Sequence, residues 1–326
     1  MARALDDDGV AVTRILLTGA SSFTGAWFAM ALRRAGHEVR ATLRRRAEAY
    51  DSLRADRLQL LRDAGVELIE GCSFGDENFL SALASGVDVL CHHGAEVSNY
   101  KSLDFEVQAA VAGNTRNARR VFEASLRGGA RCMVATGSVF EQDEGLGPQP
   151  LRAFSPYGLS KGLSWQILRY WGEQVGLPVA KFVIPNPFGP YEEPRFCGYL
   201  MSRWSRAEAA QVGTPAYIRD NIHVSLLAAS YRDFVERAAR GQAPSHYGPS
   251  GYVESQGAFA RRFAREIGGR LGLSASLLFA EQETFAEPEM RINPDRPAPR
   301  DLGWNEAQAW DDLAAYYRVL YALPAR

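Results

Sequence analysis

One stretch, Ile15 to Gly25 (ILLTGASSFTG), constrains what the rest of the chain can do. Ile15, Leu16 and Leu17 form a short apolar run, and Gly19 ends it. Ser21, Ser22, Phe23, Thr24 and Gly25 follow, and a helical pattern then places Phe28 and Leu32 one turn apart. A buried strand that runs through a tight glycine turn into a helix opens a dinucleotide-binding unit. Gly19 lets the chain turn sharply and lets its backbone approach a ligand. The N–H groups at the helix start, with the helix dipole, attract a pyrophosphate. The spacing here is Gly-x-x-Ser-x-x-Gly, so Ser22 stands where a middle glycine is usual. An ordinary strand–turn–helix crossover has the same order of elements, so support must come from elsewhere in the chain.

A chain of 326 residues, 46% hydrophobic and 23% charged, can bury a large core as one large or two intimate domains. A net charge of -1 argues against a generic polyanion-binding surface, so no nucleic acid is expected. Cys72, Cys91, Cys132 and Cys197 lack Cys-x-x-Cys spacing and read as buried thiols in a reducing cytoplasm, with no metal site. Asp6, Asp7 and Asp8 replace the basic start of a secretory signal, no apolar run is long enough to span a bilayer, and Met1 to Ala11 is expected to fray.

In order, Gly36 and His37 stop the first helix and Val39 to Leu43 reads as a second strand. An acidic residue at that strand's end would grip the adenosine ribose of NAD, whereas a basic one accepts the extra phosphate of NADP. The chain has Leu43 followed by Arg44, Arg45 and Arg46, and arginine's planar fork suits phosphate. A solvated basic loop is the plainer alternative. Ala47 to Asp63 looks helical, Val66 to Ile69 is a strand, Asn78 to Leu83 a short helix and Val87 to Cys91 a fourth strand. His92 and His93 are adjacent, so in an extended chain they point to opposite faces, which suits buried hydrogen-bonded histidines better than a metal pair. Leu103 to Leu126 reads as one long helix, Cys132 to Ala135 as a fifth strand, and residues 143–150 as a lid or surface excursion.

A second informative stretch is FSPYGLSKGLSWQILRYW, residues 154–171. Ser155 is a good N-cap and Pro156 a good first helical residue. Tyr157 and Lys161 then share a face, four residues apart. A nearby ammonium favours a phenolate, so such a tyrosine can exchange a proton near neutral pH.

Together TGASSFTG, VATGSVF, YGLSK and NPFGP resemble the extended short-chain dehydrogenase/reductase family, in particular its epimerase/dehydratase branch acting on nucleotide-activated sugars. The resemblance spans nearly the whole chain in the family's order. It implies that Thr136, Tyr157 and Lys161 carry the chemistry. It implies cofactor contacts at Gly19, Ser21, Ser22, Phe23, Thr24, Gly25, Arg44, Cys72, Ser73, Gly94, Ala95, Tyr157, Lys161, Pro185 and Pro187. Substrate contacts would fall on Glu96, Ser138, Asn186, Arg219 and Arg291, and Leu302-Gly303-Trp304 matches a C-terminal element. Two departures stand out: Ser22, and Ala110 where the family's Asn-Val-x-Gly-Thr has its asparagine.

The alternation of strands and helices implies an α/β fold, a Rossmann-type doubly wound parallel sheet, and the resemblance implies a smaller interleaved C-terminal substrate-binding domain. Residues 12–186, with about 215–243, would form the NADP-binding part, and 187–214 with 244–326 the substrate-binding part. In the latter, Gly198 to Ala210 and Glu254 to Leu273 read as helices, Ala216 to Ile222 and Ser276 to Phe279 as strands, and the remainder as a proline-rich tail. Between them, Val224 to Arg240 also reads as a helix. The expected ligand site is the cleft between the two parts. The expected activity is NADPH-dependent reduction of a 4-keto-6-deoxyhexose nucleotide, with NADPH preferred over NADH. An epimerase would gain from an acid at Leu43, and a dehydratase would need an Asp-Glu pair where Gly137 and Ser138 stand. A 4-epimerase with retained NAD, a reductase of a small natural-product ketone and a silent cofactor-binding protein remain alternatives. Apolar Leu163, Ile167, Leu168, Tyr170 and Trp171 point to a homodimer, and no membrane partner is expected.

Overall fold

The computed structural model describes residues 12–324, so the expected frayed tail lies outside the described residues. The chain opens with β1 (Arg14–Thr18), α1 (Phe23–Arg34), β2 (Glu38–Thr42), α2 (Ser52–Asp63), β3 (Glu67–Ile69), α3 (Glu77–Ala84) and β4 (Val89–His92). Next come α4 (Val107–Asn114), α5 (Ala118–Arg127), β5 (Cys132–Ser138), α6 (Pro156–Val175) and β6 (Val179–Ile184). Then follow β7 (Asn186–Phe188), α7 (Phe196–Trp204), β8 (Ala210–Val212), β9 (Ile218–His223), α8 (Val224–Ala239) and β10 (His246–Tyr247). The last elements are β11 (Tyr252–Ser255), α9 (Gln256–Phe263), α10 (Gly269–Leu271), β12 (Leu277–Phe279), β13 (Met290–Arg291) and α11 (Glu306–Leu320).

The first compact unit comprises residues up to Glu144, Arg152–Ile184 and Ala228–Tyr247. Its seven-stranded sheet has the order β10-β6-β5-β4-β1-β2-β3, and every neighbouring pair is parallel. The order reverses between β1 and β4, the switch point where doubly wound sheets take up ligands. Because strand side chains alternate, one face carries Leu16, Leu90 and Met133 against Phe79, Leu83, Val121, Phe122 and Leu168 of the covering helices. On the other face Phe28 stacks on Tyr231 at 3.9 Å, with Phe182 edge-on to both. Each fully buried Leu or Phe in these layers contributes about 1.5–3 kcal/mol.

The expected single helix Leu103 to Leu126 is two helices. Leu103 is exposed, and the chain breaks at Asn117, whose φ of 51° is left-handed. Asn tolerates that conformation, and its side chain fixes the break by donating to Gly75 O at 2.8 Å. The expected helix over Ala47 to Asp63 is a short 3-10 turn (Ala47–Ala49) followed by α2. The start of α6 follows its local signals: Ser155 Oγ accepts from Gly158 N, Pro156 sits in the first turn, and Gly176 closes the helix at φ 79°.

The second unit comprises Gly145–Leu151, Pro185–Leu227 and the chain from Gly248 onward. β9 pairs with β7 and β13 in parallel and with β11 antiparallel, and β8 pairs with β12. The residues of β9, expected with the nucleotide-binding part, therefore belong to this second sheet. Ala210 forms a strand, not a helix end. Glu254 and Ser255 extend β11 before α9 begins. The supposed tail holds α11, capped by Asn305, whose Trp310, Leu313 and Tyr317 join Phe188, Trp204, Phe259 and Phe263 in one core. The segment 143–150, read as a lid or surface excursion, is pinned at one point: Leu146 and Ile292 exchange backbone hydrogen bonds at 2.7 and 3.1 Å. Among the described residues, no helix is long and apolar enough to cross a membrane.

Candidate cofactor and catalytic site

The turn after β1 is built for close approach. Gly19 has φ 79°, and a Cβ there would lie 2.7 Å from both Cα and N of Gly94. The ends of β1 and β4 thus meet backbone to backbone, with no side chain between them. Gly25 is equally constrained, since its Cβ would lie 2.2 Å from Gly19 O. Ser22, standing for the middle glycine, turns its hydroxyl inward. It donates to Gly19 O (2.8 Å) and accepts from Gly25 N (3.2 Å), capping α1. His93 Nε2 lies 3.1 Å from Ser22 Oγ and from Thr24 Oγ1, bracing the turn from β4.

Both histidines are structural. His92 Nε2 faces the Asn114 carbonyl at 2.9 Å and must donate to it. Its Nδ1 then accepts from Thr18 Oγ1 at 3.0 Å, and Thr18 in turn accepts from Gly94 N. That arrangement requires a neutral ring, and burial accordingly pushes its pKa down to about 3.

At the end of β2, Leu43 is buried and no acid stands ready for a ribose hydroxyl. Arg44 is exposed and pairs with Glu96 at 3.2 Å, across the end of β1 from one flanking strand to the other. Burial would raise the Glu96 carboxyl, but hydrogen bonds from Ser98 and the Arg44 charge bring it down to about 2. Glu96, expected among substrate contacts, is therefore placed against a cofactor candidate. Cys72 is buried with its thiol pushed up to about 12 by desolvation, and Ser73 N bonds the Asp76 carboxylate at 2.7 Å. Ala95 O accepts weakly from Arg44 at 3.5 Å. Sequence reasoning missed Arg57. It is fully buried on α2 and donates to Ser21 O at 3.2 Å, so it holds the glycine turn. Its signal was an arginine on the face that also carries Leu61.

The catalytic candidates gather at the end of β5. Lys161 Nζ donates to the Thr136 carbonyl at 2.5 Å, and the buried Thr136 hydroxyl has the Tyr231 hydroxyl as its neighbour. Tyr157, half-buried, is packed edge-on by Tyr100 (5.7 Å) and Phe105 (6.1 Å) from the segment after β4. Those two aromatics were not legible beforehand. Burial lowers the Lys161 pKa, Glu141 opposes that, and Lys181 adds to it. A cavity of about 10 Å³ lies behind these groups, lined by Asn114, Thr136, Glu141, Lys161, Ser164 and Lys181 among others. That is close to the minimum of about 10–15 Å³ that admits one water. Ser138, expected to touch substrate, turns its Oγ back to Phe140 N at 3.2 Å.

The second unit holds the remaining candidates. Pro185, Asn186 and Pro187 lead into and form β7, where Asn186 Nδ2 donates to Asp220 O at 3.4 Å. Arg219 and Arg291 are register partners on β9 and β13. Arg219 stacks on Tyr217 and spends its guanidinium on Glu287 (3.0 Å) and on the carbonyls of Ile218, Pro288 and Glu289. Arg291 is 1% exposed.

The first unit's residues fit a nicotinamide dinucleotide. The glycine contact leaves bare backbone at the switch point, and α1 begins there with its first turn capped by Ser22.

Comparison with known proteins bears on this geometry. The model of the NAD dependent epimerase/dehydratase family matches residues 15–249. The fold is similar to that of the UDP-glucuronic acid 4-epimerase of Bacillus cereus, solved with UDP-glucuronic acid and NAD. The identity is 17%, over 94% of this chain and 99% of that one, with a TM-score of 0.72. It is similar to the UDP-N-acetylglucosamine 4-epimerase of Methanobrevibacter ruminantium (14% identity, 95% and 99% covered, TM-score 0.71). The dTDP-glucose 4,6-dehydratase of Streptomyces venezuelae, solved with NAD, is similar too (18% identity, 94% and 97% covered, TM-score 0.67). No curated protein matches the sequence.

Proposed function

Since the chain belongs to the NAD dependent epimerase/dehydratase family and is an NAD(P)-dependent enzyme of the extended short-chain dehydrogenase/reductase type, we propose that it is a reductase. It uses NADPH to reduce a ketone, best matched by a nucleotide-activated 4-keto-6-deoxyhexose. The observation that carries the ketone–alcohol chemistry is Lys161 anchored on the Thr136 carbonyl, one helical turn from Tyr157; it would serve a 4-epimerase equally well, and exposed Arg44 beside the buried Leu43 is what favours net reduction. NADPH supplies the hydride. Tyr157 gives its phenolic proton to the oxygen that becomes an alkoxide, Lys161 offsets the phenolate left behind, and Thr136 donates a hydrogen bond to the same oxygen. Arg44 and the absence of an acid at Leu43 support NADPH over NADH.

Elimination of water, the dehydratase reaction, finds no acid at the two positions after Thr136. A side chain at Gly137 would collide with Lys181 Cε at 2.5 Å, and the Ser138 hydroxyl is turned into its own loop. A second reading, a small ketone without a diphosphate, is favoured by one observation: both Arg219 and Arg291 are engaged or buried in the second unit. Leu159, Leu163 and Tyr170 leave an exposed apolar stripe on α6, which supports a homodimer, and four free buried thiols suit a reducing cytoplasm.

Mixing the enzyme with NADPH and a 4-keto-6-deoxyhexose nucleotide tests the reading. Stoichiometric loss of reduced cofactor supports it, and Tyr157→Phe should slow turnover about 10²–10⁴-fold. Tightly bound NAD that survives purification, with interconversion of 4-hydroxyl isomers and no net oxidation, would replace it with an epimerase.

A further inference from the structure

Behind Lys161 lies a buried set of charges that the chemistry above does not use. Lys181 sits inside β6, where a sheet covered on both faces normally carries apolar residues, yet it is 2% exposed. Its ammonium bonds the carboxylates of Glu141 and Glu144, both buried. The other oxygen of Glu141 accepts from Ser138 N at 2.7 Å. The other oxygen of Glu144 meets His246 Nε2 at 2.6 Å, and the His246 side chain is 41% exposed. Alternating charges therefore run from the cavity shared with Lys161 out to the surface.

Such a cluster is costly to desolvate, and apolar residues of similar volume would commonly serve stability as well or better. Its place suggests what it does. Around Lys161 stand Tyr157 and Ser164 on its own helix, the Thr136 carbonyl on β5 and Asn114 on α4. The titratable neighbours are His92 at the end of β4 and His93 just after it, both kept neutral by burial, Lys181 on β6, and Glu141. Glu141 thus lies between two buried ammonium groups; burial pushes its carboxyl above the usual range, and the charges of Lys181 and Lys161 oppose that shift and favour the anion.

Resting on the reading of Tyr157 and Lys161 as the proton relay, we propose that Glu141 is a positioning residue for Lys161. Held by Lys181 and the Ser138 N–H, its carboxylate keeps Lys161 an ammonium against the like charge of Lys181, and so keeps a cation beside Tyr157. Removing Glu141 alone leaves two buried ammonium groups facing each other, and Lys161 gives up its proton more easily. Tyr157 then loses its cation and ionises at higher pH.

The test uses the cofactor-free protein and the ultraviolet absorbance of phenolate. Subtracting the matching Tyr157→Phe protein isolates Tyr157 from the thirteen tyrosines. Lys161→Met should raise the ionisation midpoint, and Glu141→Gln should raise it by at least half as much, a one-unit rise being about tenfold in the ionisation constant. Glu141→Gln combined with Lys181→Met removes both charges and should bring the midpoint back toward the parent. If Glu141→Gln does not fold, Lys181→Met alone should lower the midpoint, since Lys161 then has Glu141 to itself. A folded Glu141→Gln at the parent midpoint, while Lys161→Met moves it, overturns the role of Glu141 alone. So does Lys181→Met at the parent midpoint. If Lys161→Met leaves the midpoint in place, the relay itself fails and the inference falls with it.

Discussion

Gly19 and Gly176 share a φ of 79°, yet their surroundings differ completely. That makes them a matched pair for testing the strand-end contact. An alanine at either position pays for the left-handed backbone, about 1–2 kcal/mol. At Gly176 a Cβ meets nothing within 4 Å, so that strain is the whole expected cost. At Gly19 the same Cβ lies 2.7 Å from Gly94 Cα and N and 3.2 Å from His93 C. These are backbone atoms that no rotamer change can move, so overpacking adds about 1–3 kcal/mol. Gly19→Ala should therefore lose about 2–5 kcal/mol where Gly176→Ala loses about 1–2. Urea unfolding measures both. The shift also parts the ends of β1 and β4, so Gly19→Ala should bind NADPH at least about tenfold more weakly, or about 1.4 kcal/mol. Gly176→Ala should bind it as the parent does, which fluorescence titration reports. Equal stability losses within about 0.5 kcal/mol, or unchanged NADPH affinity in Gly19→Ala, would refute the close-approach argument.

Other consequences can be measured as directly. The parent should bind NADPH at least about tenfold tighter than NADH, and Arg44→Ala should remove most of that difference, since a charge-assisted bond contributes about 1.5–3 kcal/mol; equal affinities in the parent would end the argument. Glu96→Gln frees Arg44 from its carboxylate and should tighten NADPH, whereas weaker binding would mean that Glu96 helps hold the cofactor. Burial lowers His92, His93 and His223 to about 3, so below a pH of about 6.5 the unfolded chain gains protons that the folded chain refuses. Stability is complete above that pH and falls as pH drops toward 3, by about 1.4 kcal/mol per unit for each histidine; the urea midpoint should fall from neutral pH to mild acid, and fall less in a folded His223→Asn protein. Leu163→Glu should turn a dimer into a monomer by light scattering, and a parent already monomeric at micromolar concentration would exclude that interface.

What the sequence made legible was local. The β1 turn, the Ser155–Pro156 helix start and the alternation of strands with helices rest on neighbours within a few residues, and all three stand in the structure. What it hid depends on partners far along the chain. The break at Asn117 is set by the carbonyl of Gly75. β9 follows β7, β11 and β13 because of pairings that no window of sequence contains. Arg219 and Arg291 were singled out by motif resemblance alone; that Glu287 pairs with the first and that the second is buried depends on residues distant in the chain. The Glu141–Lys181 pair spans forty residues. Its one visible trace in the sequence is a lysine in the otherwise apolar VAKFVI of β6.

The chain passes between its two compact units five times, at Glu144, Leu151, Ile184, Leu227 and Tyr247. Neither unit is therefore a cassette. A fragment ending at Ile184 would lack β10, leaving β6 as a raw sheet edge, and would lack Tyr231, exposing the stacked face of Phe28. Grafting a new specificity by one crossover would cut through that core. In a lineage built this way, new substrates have to arrive by point changes and loop exchange within an intact chain. Swapping one unit for a ready-made module would take several simultaneous crossovers, and attempts to redirect the enzyme in the laboratory face the same restriction.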